Sequence, residues 1–237
     1  TIPFLQEAVR RGIKLSNDSQ VLLEACPATV VGITGSAGKT TTTALLGLMA
    51  RKYFEMKQSP RRAWVGGNIG NPLIEQVTEM HAEDLVILEL SSFQLELMTV
   101  SPQVAVVLNI TPNHLDRHGT MQAYAAAKAR ILTYQHQVDV AVLNRDDAGS
   151  WELSTRLKSD LISFGFNRPE GSQNGTYIHR DSIYLQIEHQ QLKMFPVDWI
   201  QLRGQHNISN VLAACAAAAG ASLALPAIQN AVEEFTG

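Results

Sequence analysis

The sequence predicts an α/β fold in which helices flank a mostly parallel β-sheet. Short runs rich in β-branched residues are each followed by a Gly, Pro or Asn break and a helical stretch, as in parallel sheets with crossover helices. Several of these runs are continuously apolar, which is typical of strands covered on both faces. After about Asp160 apolar and polar residues alternate between Gly, Asn and Asp turns, which predicts a small region of antiparallel β-hairpins on the flank of the sheet.

The predicted elements follow one another along the chain. The first 25 residues contain one amphipathic helix, at 4–11. Continuous apolar runs predict buried strands at 29–34, 85–90, 104–110 and 138–143. Helices are predicted at 40–52, which opens after a glycine-rich turn, and in the Ala-rich stretch 124–134. Alternating segments predict hairpin strands at 161–164, 177–179, 183–188 and 191–195, and two further helices follow at 207–219 and 227–235.

Length and charge limit the possible classes of protein. At about 150 residues per domain, 237 residues suit one large domain or a core with an appendage. Hydrophobic residues make up 45% of the chain and charged residues 17%, which indicates a folded globular protein. The net charge is 19 − 22 = −3, and arginines are adjacent only at Arg10-Arg11 and Arg61-Arg62. A nucleic-acid binder needs clustered Lys and Arg, so we expect no nucleic-acid partner.

Cysteine usage and hydropathy indicate the compartment. Cys26 and Cys215 cannot build a disulfide framework or a zinc site, so a reducing cytoplasm is the expected location. The apolar stretch Val211–Ile228 is mostly Ala and is interrupted by Gly220 and Pro226. Ala contributes little to membrane insertion, so this stretch predicts a buried helix followed by the start of another. We therefore expect no membrane partner, and we expect a monomer.

The strongest local signal is the stretch Val31–Thr41 (VGITGSAGKTT), a strand that leads through a glycine-rich turn into a helix. Such a turn binds phosphate because its N–H groups converge and the helix N-terminus adds positive potential. Lys39 would reach the β- and γ-phosphates, and the Thr40 hydroxyl would bind Mg²⁺. Ile33 stands where the general motif has its first glycine, so this is a shortened form, G-x-x-G-K-T. The sheet is therefore predicted to be of the P-loop type, although a plain strand-to-helix turn is the competing interpretation.

Polar residues follow two other predicted strands. Glu89 ends the 85–90 run, where ligands of open α/β sheets bind, so its carboxylate could hold magnesium or simply be a surface acid. His114 lies in the polar loop 109–118 and could be a metal ligand, a charge stabiliser or an ordinary loop histidine. Lys128, among alanines on the next helix, could approach the same site or remain solvated.

Three asparagines are further candidates for binding or capping roles. Asn68 lies in the glycine-rich break 66–72 and could make directed hydrogen bonds, although the break could be only a turn. Asn207 stands where it could cap the helix that follows. A cap explains one asparagine, whereas Asn210 three residues later needs another use.

Together and in this order, these motifs resemble the central ATPase domain of the Mur ligases, the ATP-dependent amide-forming enzymes of peptidoglycan precursor synthesis, and of their folylpolyglutamate synthetase relatives. The resemblance covers nearly the whole chain, from about residue 3 to residue 237. Within the family, the run 89–96 (ELSSFQLE) is most similar to the D-glutamate-adding members. The spacing of 67–70 (GNIG), 114–117 (HLDR), 127–128 (AK) and 204–207 (GQHN) is similar as well.

The resemblance implies a role for each matching residue. The catalytic residues would be Lys39, Glu89, His114 and Lys128. The ATP phosphates would be bound by Gly35, Ser36, Ala37, Gly38, Lys39, Thr40 and Thr41, and the adenine by Asn207 and Asn210. The UDP-sugar substrate would be positioned by Asn68, Ser91 and His114. Two Mg²⁺ ions would be held by Thr40, Glu89, His114 and Lys128, the last as its carbamate, because the CO₂ adduct turns a cation into an anion.

The chemistry that the resemblance implies is an acid–amino-acid ligation. The γ-phosphoryl group of ATP passes to the alanyl carboxylate of UDP-N-acetylmuramoyl-L-alanine and gives an acyl phosphate. The amine of D-glutamate then attacks, and phosphate leaves. Activation is needed because a carboxylate is a poor electrophile at neutral pH.

The resemblance also implies a domain division. Residues 1–25 would be a remnant or linker from a missing N-terminal UDP-binding domain, 26–237 would be the central ATP-binding domain, and the C-terminal D-glutamate-binding domain would be absent. We then expect this piece to fold and to bind nucleotide weakly, but not to ligate alone. Two departures concern the loop before Lys128: His118 stands where relatives often have an aromatic residue, and the loop is one residue short.

Two other interpretations remain open. One is another ligase of the same superfamily, acting on a folate or on a later peptidoglycan precursor; the run Ser91-Ser92-Phe93-Gln94 favours the D-glutamate enzyme instead. The other is a noncatalytic nucleotide-binding module, for which Lys39 alone would suffice.

Overall fold

The structure, a computed structural model, describes residues 3–67, 73–112 and 119–237. Its strands are β1 (Thr29–Thr34), β2 (Ala63–Gly67), β3 (Leu85–Glu89), β4 (Val104–Val107), β5 (Val140–Asn144), β6 (Asp160–Phe164), β7 (Asn174–His179), β8 (Ser182–Ile187) and β9 (Gln190–Pro196). Its α-helices are α1 (Pro3–Arg10), α2 (Asp18–Ala25), α3 (Lys39–Met56), α4 (Ser92–Leu95), α5 (Met121–Thr133), α6 (Ala148–Trp151), α7 (Gln205–Gly220) and α8 (Leu225–Glu234). Short 3₁₀ helices lie at Leu73–Glu79, Glu152–Arg156 and Val197–Trp199.

All of these strands belong to one sheet, in the order β2-β3-β1-β4-β5-β6-β7-β8-β9. Every neighbouring pair from β2 to β7 is parallel, and β7-β8 and β8-β9 are antiparallel. The predicted fold class is therefore confirmed: a mostly parallel sheet flanked by helices, with an antiparallel region at one side. The hairpins extend the main sheet rather than forming a separate one.

Two strand predictions need correction. The segment 161–164 was expected to be antiparallel, but β6 pairs in parallel with β5, for example at Val142↔Ile162, and β7 pairs in parallel with β6. The helical turns between β5 and β6 make the crossover that parallel pairing requires. Strand β2 was not predicted, because its sequence (AWVGG) contains two glycines and reads as a break.

Helices cover both faces of the sheet. On one face, α3, α7 and α8 pack against Ile33, Val106 and Phe164. On the other face, α2 and α5 cover Val30, Leu88 and Leu143. The Ala-rich stretch of α7 is buried against the sheet, because small side chains let the helix approach closely. No helix in the described part of the chain is long and apolar enough to cross a membrane.

The N-terminal segment adds two helices. The amphipathic helix predicted at 4–11 is confirmed as α1, which leaves Phe4 78% exposed. Helix α2 was not predicted; Asn17 caps it, because its side chain accepts from the Gln20 N–H. The Asn17 amide also donates to the Gln94 carbonyl at 2.8 Å, which ties the start of α2 to α4.

Candidate functional site

The glycine-rich turn lies at the carboxyl end of β1, near the middle of the sheet, where ligands bind in open α/β folds. Gly38 precedes α3 with φ of +86°, a left-handed conformation that favours glycine. A Cβ there would overlap the side-chain oxygen of Asn210 on α7. No side chain caps α3, so its first N–H groups and positive helix end are directed at the turn. This arrangement suits the phosphate group predicted from the sequence.

The turn is held by the segment that follows β4. The Asn109 amide oxygen accepts from the Ala37 N–H at 2.9 Å, and its nitrogen donates to the Ala37 carbonyl at 3.1 Å. The Ser36 N–H donates to the Asn109 carbonyl at 3.0 Å. The Ser36 hydroxyl donates to the Thr111 carbonyl and accepts from the Thr111 N–H, both at 3.0 Å. The segments 36–37 and 109–111 are thus joined by side-chain and backbone hydrogen bonds.

Lys39, Thr40 and Glu89 lie around this turn. The Lys39 ammonium donates to the Gly35 carbonyl at 3.1 Å. The Thr40 hydroxyl donates to Glu89 Oε2 at 2.9 Å, and Glu89 is only 6% exposed. A hydroxyl and a carboxylate are ligand types that Mg²⁺ prefers, so the pair fits a magnesium site. The structure therefore brings together three of the predicted site residues.

Lys128 on α5 reaches the same turn from the other side. It is 2% exposed, and its ammonium donates to the Gly35 carbonyl at 2.9 Å and to the Thr34 hydroxyl at 3.4 Å. Burial, and then repulsion from Lys39, lower the pKa of Lys128 to about 7. Lys128 is therefore buried beside the turn rather than solvated, and its catalytic and metal-binding roles stay predictions.

Ser91 directly follows β3 and caps α4. Its hydroxyl accepts from the Gln94 N–H at 3.3 Å and donates to Gln94 Oε1 at 2.9 Å, and the Ser91 N–H donates to the same oxygen at 2.9 Å. The Gln94 amide also donates to the Ser19 hydroxyl at 2.8 Å. These bonds give Ser91 a structural use, and its predicted contact with substrate stays a prediction.

Asn207 and Asn210 are neighbours on the first turns of α7. The Asn210 amide donates to Asn207 Oδ1 at 3.2 Å, and the Asn207 amide donates to the Arg203 carbonyl at 2.8 Å. Asn207 is not the cap, because Gly204 occupies that position. Asn210 is 7% exposed and contacts the turn at Gly38, so α7 borders the candidate nucleotide site.

Two predicted residues, Asn68 and His114, lie outside the described residues, and so does His118. Within residues 3–67, 73–112 and 119–237, no group of three or more His, Cys, Asp or Glu side chains is placed to hold a metal. The metal ligands predicted in the described part reduce to Thr40, Glu89 and Lys128.

Comparison with known proteins identifies the family. The family model for the Mur ligase middle domain matches residues 33–218. The chain belongs to the Mur ligase family. The match begins in β1 and ends within α7, so it includes the described site.

Curated relatives agree with this membership. The chain is 41% identical over 236 residues to the UDP-N-acetylmuramoylalanine–D-glutamate ligase of Symbiobacterium thermophilum, covering 100% of this chain and 50% of that protein. It is 39% identical over 234 residues to the enzyme of the same name in Koribacter versatilis, covering 98% and 50%. The chain thus spans about half the length of the curated relatives it matches.

Solved Mur ligases share the fold. A crystal structure of MurF from Acinetobacter baumannii superposes with a TM-score of 0.67 at 22% identity, over 91% of this chain and 48% of that one. A UDP-N-acetylmuramoyl-L-alanyl-D-glutamate–2,6-diaminopimelate ligase gives 0.66 at 22% identity, over 98% and 49%. Ligases with different names therefore share this fold.

Two residues of this Mur ligase site were not predicted from the sequence. Asn109 was predicted only as part of a polar loop, although its side chain holds the glycine-rich turn. Tyr124 was not singled out; its hydroxyl lies 3.0 Å from that of Ser36, and its ring centroid lies 4.7 Å from the Lys128 ammonium. A signal existed for Tyr124, because residues four apart on a helix lie on the same face.

Proposed function

We propose that this chain is the ATP-binding part of a Mur ligase that adds D-glutamate to UDP-N-acetylmuramoyl-L-alanine in the bacterial cytoplasm. The observation that carries the proposal is the convergence of Lys39, Glu89 and Lys128 on one glycine-rich turn. A binding module needs the turn and Lys39, whereas a buried carboxylate and a second lysine add groups that suit phosphoryl transfer. The names of the curated relatives support the choice of D-glutamate.

The turn and Lys39 would bind the ATP phosphates. The N–H groups at the start of α3 would donate to phosphate oxygens, and the Lys39 ammonium would leave the Gly35 carbonyl for the γ-phosphate. Lys39 would then stabilise the charge that spreads over the phosphoryl oxygens during transfer to the alanyl carboxylate. The border of α7 at Gly38 supports the proposal that Asn207 and Asn210 contact adenine.

Thr40 and Glu89 would hold magnesium. Their oxygens are already 2.9 Å apart, so a small outward rotation of the Thr40 hydroxyl would present both to one cation. Magnesium, when bound, neutralises phosphate charge. We propose that His114 and the Lys128 carbamate complete a second ion site, and that Asn68, Ser91 and His114 position the UDP-sugar.

Carbamylation of Lys128 fits its surroundings. Carbon dioxide reacts with a neutral amine: the nitrogen lone pair attacks the CO₂ carbon, and a proton is released. With a pKa of about 7, a substantial fraction of Lys128 is neutral near pH 7, unlike an exposed lysine. The product is an anion beside Lys39, so the modification would replace a repulsion with an attraction.

This chain spans about half the length of its curated relatives, and we propose that the remaining length supplies the other parts of the reaction. We propose that residues 1–25 connect to a UDP-binding domain, that 26–237 form the central domain, and that a further domain binds D-glutamate. On this proposal the chain binds nucleotide weakly by itself and does not ligate. We also propose that it is a monomer.

The test is ATP- and Mg²⁺-dependent phosphate release with UDP-N-acetylmuramoyl-L-alanine and D-glutamate. It is run on the complete protein that contains this chain, on the chain alone, and on the Lys39→Ala variant of each. We expect turnover only in the complete protein, only with D-glutamate, and not in the variant. Turnover with another amine would leave the family intact and contradict the choice of D-glutamate. Nucleotide binding without turnover of any acceptor would favour the noncatalytic module.

A further inference from the structure

The phosphate turn of this chain is short, and a short turn has few groups with which to stabilise itself. Four residues, 35–38, separate β1 from α3. The general motif has one more glycine upstream, at the position that Ile33 occupies here within β1. An N–H group binds phosphate well only if its direction is set before the ligand arrives. Something outside the turn must therefore hold it.

Asn109 meets this need. Its side-chain amide bonds both polar groups of Ala37, the N–H at 2.9 Å and the carbonyl at 3.1 Å, and its own carbonyl accepts from the Ser36 N–H at 3.0 Å. These contacts fix the peptide groups on both sides of Ser36 and Ala37. A Cβ at Gly35 would come within 2.9 Å of Leu108 Cβ, which shows how closely the turn lies on this segment.

The position of Asn109 argues against a role in core packing. It is half-buried at the carboxyl end of β4, and the described contacts of its side chain are with the turn rather than with the apolar layers. Because its oxygen takes the Ala37 N–H, that donor is unavailable to phosphate. The N–H groups left to face a phosphate begin at Gly38 and continue into the first turn of α3.

We propose that Asn109 is a positioning residue for phosphate binding, which supplies from β4 the support that the shortened turn lacks. It acts through Ala37 and does not touch the nucleotide. The inference rests on the proposed function, since it takes the turn to be the ATP phosphate site. It predicts that Asn109 matters for the phosphates and not for the base.

The test compares two ligands in the complete protein that contains this chain. Tripolyphosphate probes the turn alone and adenosine probes the base site alone, and NMR titration measures both dissociation constants, including millimolar ones. The variants are Asn109→Ala and Asn109→Leu, both of which remove the two side-chain bonds without adding charge, and Asn109→Leu keeps a similar side-chain volume. The matched control is Asn174→Ala, because Asn174 accepts from the Glu188 N–H at 3.0 Å on the far hairpin.

We expect Asn109→Ala to bind tripolyphosphate about 10- to 100-fold more weakly, as the loss of two directed hydrogen bonds implies. Adenosine affinity should stay within about twofold of the parent, and the control should change neither value. Thermal unfolding shows which variants fold. If Asn109→Ala does not fold, Asn109→Leu, which should also weaken tripolyphosphate binding, provides the test.

Three results separate the possibilities. If the parent protein binds neither ATP nor tripolyphosphate, the proposed function fails. If the parent binds both and every folded Asn109 variant binds tripolyphosphate within twofold of it, the positioning role is wrong. Equal losses for tripolyphosphate and adenosine would also overturn it, because they would indicate a general structural role.

Discussion

Two cations with restricted access to solvent lie at the carboxyl edge of the same sheet, and their surroundings differ. Arg145, after β5, donates to the Ser163 hydroxyl at 2.6 Å and to two backbone carbonyls, of Asn167 at 2.6 Å and Thr176 at 3.1 Å. Burial lowers the pKa of Arg145 to about 10, against the opposing effect of Asp146, so it stays charged. Its donors are directed at fixed acceptors that join β5, β6 and β7.

Lys128 has as its neighbours one carbonyl, a hydroxyl at 3.4 Å, the Tyr124 ring with its centroid at 4.7 Å, and a second cation. It shares the Gly35 carbonyl with Lys39, and burial together with that repulsion brings the pKa of Lys128 to about 7. Arg145 thus resembles a structural connector, whereas Lys128 is placed where its charge is unfavourable. A poorly satisfied buried cation is a better candidate for chemistry than a well-satisfied one, because strongly shifted pKa values cluster at functional sites.

The largest expected effect follows from replacing Lys128. In the complete protein, Lys128→Met should lower ATP-dependent phosphate release by about 10²–10³-fold, the usual cost of losing one group that stabilises a reacting charge. It should not lower the free energy of unfolding, because it removes an unfavourable buried charge. Coupled phosphate detection and urea unfolding measure the two effects, with the exposed Lys158→Met as control. Full activity in Lys128→Met would remove Lys128 from the reaction.

Replacing Arg145 should lower stability and leave nucleotide binding unchanged, the reverse of what is expected for Lys128. Arg145→Met leaves the Ser163 hydroxyl and two carbonyls without their donor, so we expect a loss of about 3 kcal/mol in the free energy of unfolding. The nucleotide affinity of the folded fraction should hardly change. Urea unfolding with Arg51→Met, an exposed arginine on α3, as control measures the loss. An unchanged free energy of unfolding in Arg145→Met would show that the two cations do not differ as described.

A glycine beside each region sharpens the comparison. A Cβ at Gly175 would lie 2.7 Å from Arg145 Nη1, and one at Gly38 would overlap Asn210 in a backbone with φ of +86°. We expect either alanine variant to cost about 1–3 kcal/mol in stability. Only Gly38→Ala should also weaken binding of tripolyphosphate, which calorimetry can measure. Equal binding losses in both variants would show that the regions are coupled.

The smallest effect is a slope in the pH dependence of stability. Because the pKa of Lys128 is lowered in the folded state to about 7, from 10.5, the unfolded chain binds more protons between these values. Stability contributed by this group therefore rises with pH above 7, by at most about 1.4 kcal/mol per unit, and is lowest below 7. Unfolding at pH 6.5 and 8.5, without added CO₂, should show a rise that Lys128→Met removes. A rise that persists in Lys128→Met would assign it to other groups.

Local sequence patterns were sufficient to predict the central parallel strands of the sheet. The apolar runs of β1, β3, β4 and β5 predicted their strands because a strand covered on both faces must be apolar throughout, whatever lies beside it. Strand β2 was not predicted, because its glycines weaken the local strand pattern. Its pairing with β3, which lies about 20 residues later in the chain, cannot be read from the local sequence. The parallel direction of β6 could not be predicted either. Alternating apolar and polar residues show which side chains share a face of the sheet, but not whether neighbouring strands run parallel or antiparallel.

The sequence by itself determined the fold class, the family and the position of the glycine-rich turn, because each of these is carried by residue types and spacings within short stretches of chain. Only the tertiary structure decided that Lys128 is buried beside Lys39, that Asn109 holds the turn, and that Ser91 caps α4. Burial and hydrogen bonding depend on which distant segments meet, and a pKa follows from that environment rather than from residue type. The chemical character of the site therefore emerges where β1, β4 and α5 come together.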